Sequence, residues 1–273
     1  MTSDKPIQDI AEHGRLIAPL ATLAAEAGAR IIELAAKGLR GRQKPDASLV
    51  TDADEAAEAI LRAGLGRIAP GITVIAEEAV SRGEAGIAGA AYFLVDPLDG
   101  TRDFLAGRPE FTVNIALVRG QQPILGLIYS PAEGALYAGG EGRALRASLP
   151  PGRSFDPSAA VPIRARPRPD RLVAVISRSH FDPASEAFLA RLPVAERIPL
   201  GSAIKFCRIA EGAADVYPRL APVHEWDIAA GHALLSAAGG AVTAPDGGAL
   251  GYGRPERNWR VDGFVAWGAP QHA

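Results

Sequence analysis

The residues best suited to chemistry lie in Asp96-Pro97-Leu98-Asp99-Gly100-Thr101, directly after the apolar run 92–95. A strand that ends in two acids three positions apart, then Gly-Thr, presents carboxylates at a sheet edge. Gly100 lets backbone approach a ligand closely, and the N–H groups after it can face an anion where a helix starts. Pro97 stiffens the turn. Taken alone, the segment is equally compatible with a solvated surface turn, because Asp, Pro and Gly are common there. Two more acidic features change that balance. Glu77-Glu78 closes the apolar run 72–76, and Asp227 follows Trp226 at the head of an apolar helix, where an acid also suits the helix dipole. If these carboxylates converge, they repel one another unless cations neutralise them. Hard oxygen ligands favour Mg²⁺, Ca²⁺ or Mn²⁺, and Mg²⁺ is the usual choice where phosphate is also a ligand.

Groups that seek phosphate lie mostly in the second half. Ser177-Arg178-Ser179-His180 follows the apolar run 172–176, Gly201-Ser202-Ala203-Ile204-Lys205 opens a helix, and Arg219 ends the run 214–217. Each singly reads as surface polarity; together, after strands or at helix starts, they outline an anion pocket.

The elements that must position these groups read as two halves. Ile10, Leu16, Ile17, Leu20, Leu23, Ala24, Ala27, Ile31 and Leu34 recur at helical spacing, with Pro19 expected to kink or interrupt the run and Gly38 and Gly41 to end it. Thr51 or Asp52 caps a second helix through about Arg67. Strands are expected at 72–76 and 92–95, then a meander at 111–118, 124–129 and 135–138. The proline-rich stretch 149–169 reads as an extended connection. Beyond it the pattern alternates: strand 172–176, helix 183–191, helix 202–211, strand 214–217, helix 226–238 and short strands at 241–243 and 264–267. This predicts residues 1–150, carrying most acidic ligands, and 151–273, carrying the phosphate contacts and the last acid, as halves of one structural unit of stacked helix and sheet layers. The chain has 273 residues, 48% hydrophobic and 22% charged, an ordinary globular composition. A net charge of −2 argues against a nucleic-acid polymer or a membrane surface as an electrostatic partner. Cys207 is the single cysteine, which excludes an intrachain disulfide. Residues 1–9 hold no apolar signal core, and no apolar stretch approaches the ~20 residues of a membrane span.

Val50-Thr51-Asp52-Ala53-Asp54, Glu77-Glu78, Asp96-Pro97-Leu98-Asp99-Gly100-Thr101 and Trp226-Asp227-Ile228-Ala229-Ala230-Gly231, in that order along nearly the whole chain, resemble the magnesium-dependent, lithium-sensitive phosphatases related to inositol monophosphatase. Within that family, Ile176 to His180, Gly201 to Cys207 and Tyr217-Pro218-Arg219 are similar to the bacterial 3'(2'),5'-bisphosphate nucleotidases. The resemblance implies a layered αβαβα sandwich, α+β or α/β in class, of the inositol monophosphatase and fructose-1,6-bisphosphatase type. It implies hydrolysis of adenosine 3',5'-bisphosphate, a by-product of sulfate assimilation, to AMP and phosphate in the cytoplasm; peripheral contact with the inner membrane and a homodimer are compatible with it. Glu77, Asp96, Asp99 and Asp227, with the Leu98 carbonyl, would hold two or three Mg²⁺ ions, with Mn²⁺ able to substitute and Li⁺ and Ca²⁺ inhibitory. Asp54 and Thr101 would orient and deprotonate the attacking water, with Glu77 and Asp99 also in catalysis. Gly100 and Thr101 would bind the scissile phosphate, Ser177, His180, Ser202, Lys205 and Arg219 the other, and Asp227 would also face substrate. Family members that act on inositol carry an acid near Arg219, so an arginine there points to a second phosphate. Ala203 and Glu225 are departures at conservative or flanking positions.

Other readings are weaker. An inositol-monophosphate or fructose-bisphosphate phosphatase would use the same scaffold. A non-catalytic nucleotide or metal sensor would not need Asp54 and Thr101, and a structural partner protein would not need the metal ligands. His224-Glu225 begins like a zinc-protease motif, but Ile228 stands where the second histidine belongs. His13 and His232 sit in helical runs and read as structural, and Cys207 reads as a small packed residue.

Overall fold

The computed structural model describes residues 13–38, 40–44, 49–84, 86–179 and 182–269. Ile10 and His180 lie outside the described residues, as does the side chain of His13. α1 (His13–Ala36) runs unbroken through Pro19. Pro19 removes one N–H from the helix ladder, but Leu20, Leu23, Ala24, Ala27 and Ile31 are buried along one face, and that packing outweighs the lost bond. A short hairpin, β1 (Gly41–Gln43) and β2 (Leu49–Thr51), leads into α2 (Asp52–Ile68). Thr51 is the N-cap, and Thr51 and Asp54 exchange both capping-box hydrogen bonds.

α1 and α2 lie on one face of a seven-stranded sheet. Its strands are β3 (Thr73–Ala76), β4 (Ala91–Asp99), β5 (Thr112–Arg119), β6 (Gln122–Ser130), β7 (Ala135–Gly140), β8 (Arg143–Ser148) and β9 (Val161–Ile163), in that spatial order. The first pair is parallel and the rest form the expected meander. The strands are apolar almost continuously because both faces are covered. Phe93, Val95, Ile115, Leu117, Leu125 and Leu127 pack toward α1 and α2, while Leu94, Ala116, Val118 and Ile128 pack the other way.

On that second face lie α6 (Ile204–Ala210) and α7 (Glu225–Ala237). Beyond them a five-stranded sheet runs in the order β11 (Val194–Leu200), β10 (Leu172–Ser177), β12 (Val216–Arg219), β16 (Phe264–Trp267) and β14 (Ala241–Thr243). α5 (Pro183–Leu189) contacts β12, and Leu189 joins a core with Leu172, Val216, Val265 and Trp267. The layering is therefore αβαβα. A two-stranded ribbon, β13 (Val223–His224) with β15 (Arg260–Val261), flanks the start of α7.

β1, β2, β8, β9, β11, β13 and β15 have no counterpart among the expected strands. β9 emerges inside the proline-rich stretch, which an edge position permits, since Pro162 has no ladder donor to give. β11 is likewise an edge strand, and it carries Pro199.

α7 is wedged between the sheets by missing side chains. A Cβ on Gly126 of β6 would stand 2.1 Å from the Ala230 carbonyl oxygen, and one on Gly231 would stand 2.3 Å from the Phe206 ring. Because the Gly126 contact is backbone, it has no flexible end to yield. Gly126→Ala is expected to lower stability by about 1–3 kcal/mol, as overpacking does. Urea unfolding monitored by tryptophan fluorescence checks this, and an unchanged midpoint would mean that β6 and α7 can part freely.

Candidate active site

β4 continues past Val95, its expected end, to Asp99. In a regular strand, residues three apart point to opposite faces. Asp96 pairs with Asn114 and Asp99 with Thr112, so three steps on β4 oppose two on β5. That bulge, placed where Pro97 cannot donate to the ladder, returns Asp99 to the side of Asp96. Asp96 is held by the Leu98 N–H at 3.0 Å, and Asp99 accepts from Asn114 Nδ2 at 3.4 Å and from the Ala203 N–H. Gly100 then turns the chain at φ 95° into α4 (Thr101–Leu105). A Cβ there would meet the Glu110 carbonyl oxygen at 2.9 Å, so glycine is required on two counts.

The other acids arrive at helix starts. Asp54 Oδ2 accepts from the Thr51 N–H at 2.8 Å and from the Thr51 hydroxyl, while Oδ1 lies 3.1 Å from Thr101 Oγ1, itself 3.1 Å from the Leu98 carbonyl. Glu77 opens α3 (Glu77–Ser81), and Asp227 closes a capping box on the His224 N–H at 3.1 Å.

Burial and mutual repulsion act on this group together. The Asp96 carboxyl is pushed well above the ordinary carboxylate range by burial, then by Glu77, Asp99 and Asp227. Asp227 is raised well above it by burial, Asp99 and Glu77, against Arg219. Glu77 is raised by burial despite Lys44, and Asp99 by burial despite Lys205 and Asn114. Asp54 is raised by burial against the bonds from Thr51 and Thr101. Among the described residues, no three Asp, Glu, His or Cys side chains already close around one ion-sized point. The carboxylates are nonetheless near enough to raise one another, and an all-oxygen, anionic donor set fits a hard divalent cation.

The same cleft, ≈ 470 Å³ in volume, is also lined by the serine, lysine and arginine groups singled out in the second half of the chain. Arg219 Nη1 donates to Ser177 Oγ at 3.4 Å; Ser177 Oγ is also 3.2 Å from Tyr217 Oη. Arg219 Nε is buried without a partner. Ser202 has φ 46°, a left-handed conformation unusual for a residue with a side chain, and it starts the turn into α6. The Lys205 ammonium donates to the Leu200 and Ser202 carbonyl oxygens and lies 5.1 Å from the Tyr217 ring centre. Ser177, Ser202, Lys205 and Arg219 thus line the same cleft as Gly100 and Thr101, and a Cβ on Gly100 would stand only 3.3 Å from that of Ser202. Cys207 is buried on α6, its thiol facing the Ala203 carbonyl oxygen at 3.8 Å.

Sequence reasoning missed three groups. Lys44 is buried, with its ammonium 2.8 Å from Glu77 Oε1 and 2.7 Å from Glu78 Oε1. Burial would lower its pKa, but the two glutamates raise it. Glu58 accepts from the N–H groups of Glu78 at 2.7 Å and Ala79 at 3.2 Å, which fixes the start of α3. Its signal was available: it lies one helical turn after Asp54 on α2. Glu225 accepts from the N–H groups of Gly253 at 2.7 Å and Arg254 at 3.0 Å, so this departure anchors the chain beside Asp227.

Fold and cleft together define a layered α/β phosphatase. The chain belongs to the inositol monophosphatase family, whose pattern matches residues 14–269. It is similar to the 3'(2'),5'-bisphosphate nucleotidase CysQ of Buchnera aphidicola, at 38% identity over 92% of this chain and 93% of that protein. The enzyme of the same name from Escherichia coli K12 is 39% identical over 81% of this chain and 86% of its own length. The crystal structure of CysQ from Bacteroides thetaiotaomicron superposes with a TM-score of 0.78 at 32% identity, covering 96% of this chain and 98% of that one. No described helix is long and apolar enough to cross a membrane.

Raised carboxyls bind protons more tightly folded than unfolded. Their stabilisation without metal is fully present in acid and is lost as pH rises through the raised values. Asp227→Asn removes one of the buried charges. At about pH 8 with EDTA the variant is expected to melt above wild type, and to gain less from added Mg²⁺. Thermal melts with and without the ion read both effects. Equal gains from Mg²⁺ in the two proteins would remove Asp227 from the site.

Proposed function

We propose that this chain hydrolyses the 3'-phosphate of adenosine 3',5'-bisphosphate, releasing AMP and phosphate, and so clears a by-product of sulfate assimilation. The observation that carries the reading is the cationic wall that Lys205 and Arg219 form within the cleft that holds the acids. Arg219 is fixed by Ser177 at 3.4 Å, keeps a buried Nε without a partner, and lines the same cleft as Gly100 and Thr101. A monoester with one phosphate has no use for that wall. The names of the similar enzymes point the same way.

Glu77, Asp96, Asp99 and Asp227, with the Leu98 carbonyl, are the groups that would hold Mg²⁺. Bound there, the ion would acidify water and offset charge on phosphoryl oxygens. The chain's own residues do the rest. Asp54 Oδ1 orients the Thr101 hydroxyl, and the pair positions the attacking water and takes its proton, a role that the raised Asp54 carboxyl suits. The N–H groups of Gly100 and Thr101 hold the scissile phosphate. Ser202, Lys205 and Arg219, with His180 and with Ser177 beneath the guanidinium, hold the 5'-phosphate.

Phosphate release should be far faster from adenosine 3',5'-bisphosphate than from inositol 1-phosphate or fructose 1,6-bisphosphate, and EDTA should abolish it. Arg219→Ala should raise KM for the nucleotide about 10- to 100-fold, the loss of one or two charge-assisted hydrogen bonds. Preference for inositol 1-phosphate would refute the substrate assigned to the cationic wall while leaving the acidic wall intact.

A further inference from the structure

The two walls of the cleft, one at Gly100-Thr101 and one from Gly201 to Lys205, come from distant parts of the chain; they meet where a Cβ on Gly100 would stand 3.3 Å from that of Ser202, and a short bridge ties them together. After α4 the chain returns toward β5 through Glu110, whose carboxylate pairs with Arg178; their side chains are 14% and 31% exposed. Arg178 Nη2 also donates to the Pro199 carbonyl oxygen at 2.8 Å, and its backbone N–H to that of Leu200 at 3.1 Å. Asp103, buried on α4, accepts from Ser179 Oγ at 3.3 Å and from Arg108 at 2.8 Å. The backbones touch as well. The Glu110 carbonyl oxygen would lie 2.9 Å from a Cβ on Gly100 and 2.8 Å from one on Gly201, and Asp103 Oδ2 would lie 2.7 Å from the latter. One peptide oxygen is thus lodged between the glycine before Thr101 and the glycine before Ser202.

We propose that Glu110 and Asp103 are positioning residues that fix the distance between the two phosphate-holding walls, and that this spacing selects a bisphosphate over a monophosphate. The inference rests on the bisphosphate reading above. A substrate with two phosphates on one ribose has a set separation between them. Engaging the second is an intramolecular event whose advantage depends on the walls standing at that separation. A monophosphate uses only the wall at Gly100 and Thr101, whose contact with the Glu110 backbone carbonyl survives a change of the Glu110 side chain, so loosening the side-chain bridge costs it little. Ser202 is held in its left-handed conformation directly after Gly201, which makes the position of its hydroxyl sensitive to where Gly201 rests.

The test uses the full chain with Mg²⁺ and two substrates that share a scissile bond, adenosine 3',5'-bisphosphate and adenosine 3'-monophosphate. Glu110→Gln is expected to raise KM for the bisphosphate by about 10-fold with kcat nearly unchanged, and to leave kcat/KM for the monophosphate within about twofold. Asp103→Asn is expected to do the same. Because Asp103 is buried, the melting temperature of its variant is read alongside, and the isosteric Glu110→Gln decides if Asp103→Asn folds poorly. Equal losses on both substrates, or none on either, would overturn the spacing role. A wild type that fails to prefer the bisphosphate would overturn the substrate reading and this inference together. A wild type that prefers it, with Glu110→Gln discriminating equally well, would overturn the spacing role alone.

Discussion

Asp96, Asp99, Glu77 and Asp227 are all raised above the ordinary carboxylate range, because burial disfavours their ionised forms and the group is close enough for mutual repulsion. The fold must therefore hold together charges that favour separation. It does so by gripping each one from a different element: the Leu98 N–H on Asp96, Asn114 and the Ala203 N–H on Asp99, Lys44 on Glu77, and the His224 N–H on Asp227. These contacts orient the carboxylates without neutralising the group. The remaining charge, carried on oxygen donors, is of the kind that suits a hard divalent cation, and electrostatic conflict of this sort is kept where function needs it.

Gathering acids from β4, α3 and α7 requires those elements to stay in register across two sheets. α7 is the member shared by both, packing on β4 to β7 on one side and on β14 and the ribbon strand β13 on the other. Its approach to the large sheet is as close as backbone allows at Gly126, and its approach to α6 is as close at Gly231. Side chains there would push Asp227 away from Asp96 and Asp99. The close packing of the middle layer thus sets the geometry of the carboxylates and, through α6, the placement of Lys205 in the same cleft.

Much of this was legible in the sequence because the signals are local. The Thr51 cap, the α2 span, the meander and the helix bearing Asp227 follow from spacing and capping residues, and the strands that were expected fall within a few positions of expectation. The elements that were not legible are those whose stability is not local. β9 and β11 are edge strands containing proline, held by one neighbour each. α1 continues through Pro19 because of packing that no periodicity reveals. The bulge in β4 was hidden for a related reason. Asp-Pro-Leu-Asp reads as a turn, and only the partner register shows that it is strand with one extra residue. Among site residues, Lys44 gave no sign, since its partners Glu77 and Glu78 lie more than thirty positions away.

A local reading was also incomplete where it was right, since several residues serve structure and chemistry at once. Asp54 spends Oδ2 on capping α2 and presents Oδ1 to Thr101. Asp227 caps α7 through Oδ2 while its charge bears on Asp99 and Glu77. Capping requires a carboxylate or hydroxyl near the first turn and supplies its orientation through short, directional bonds. An acid already oriented in that way needs no further scaffold to aim its second oxygen into a cleft. Helix starts are thus an economical place for acids that must be rigid, and reading such an acid as a cap accounts for one of its oxygens. The other is explained by what converges on it from elsewhere in the chain, here a threonine delivered by a glycine turn at the end of a bulged strand.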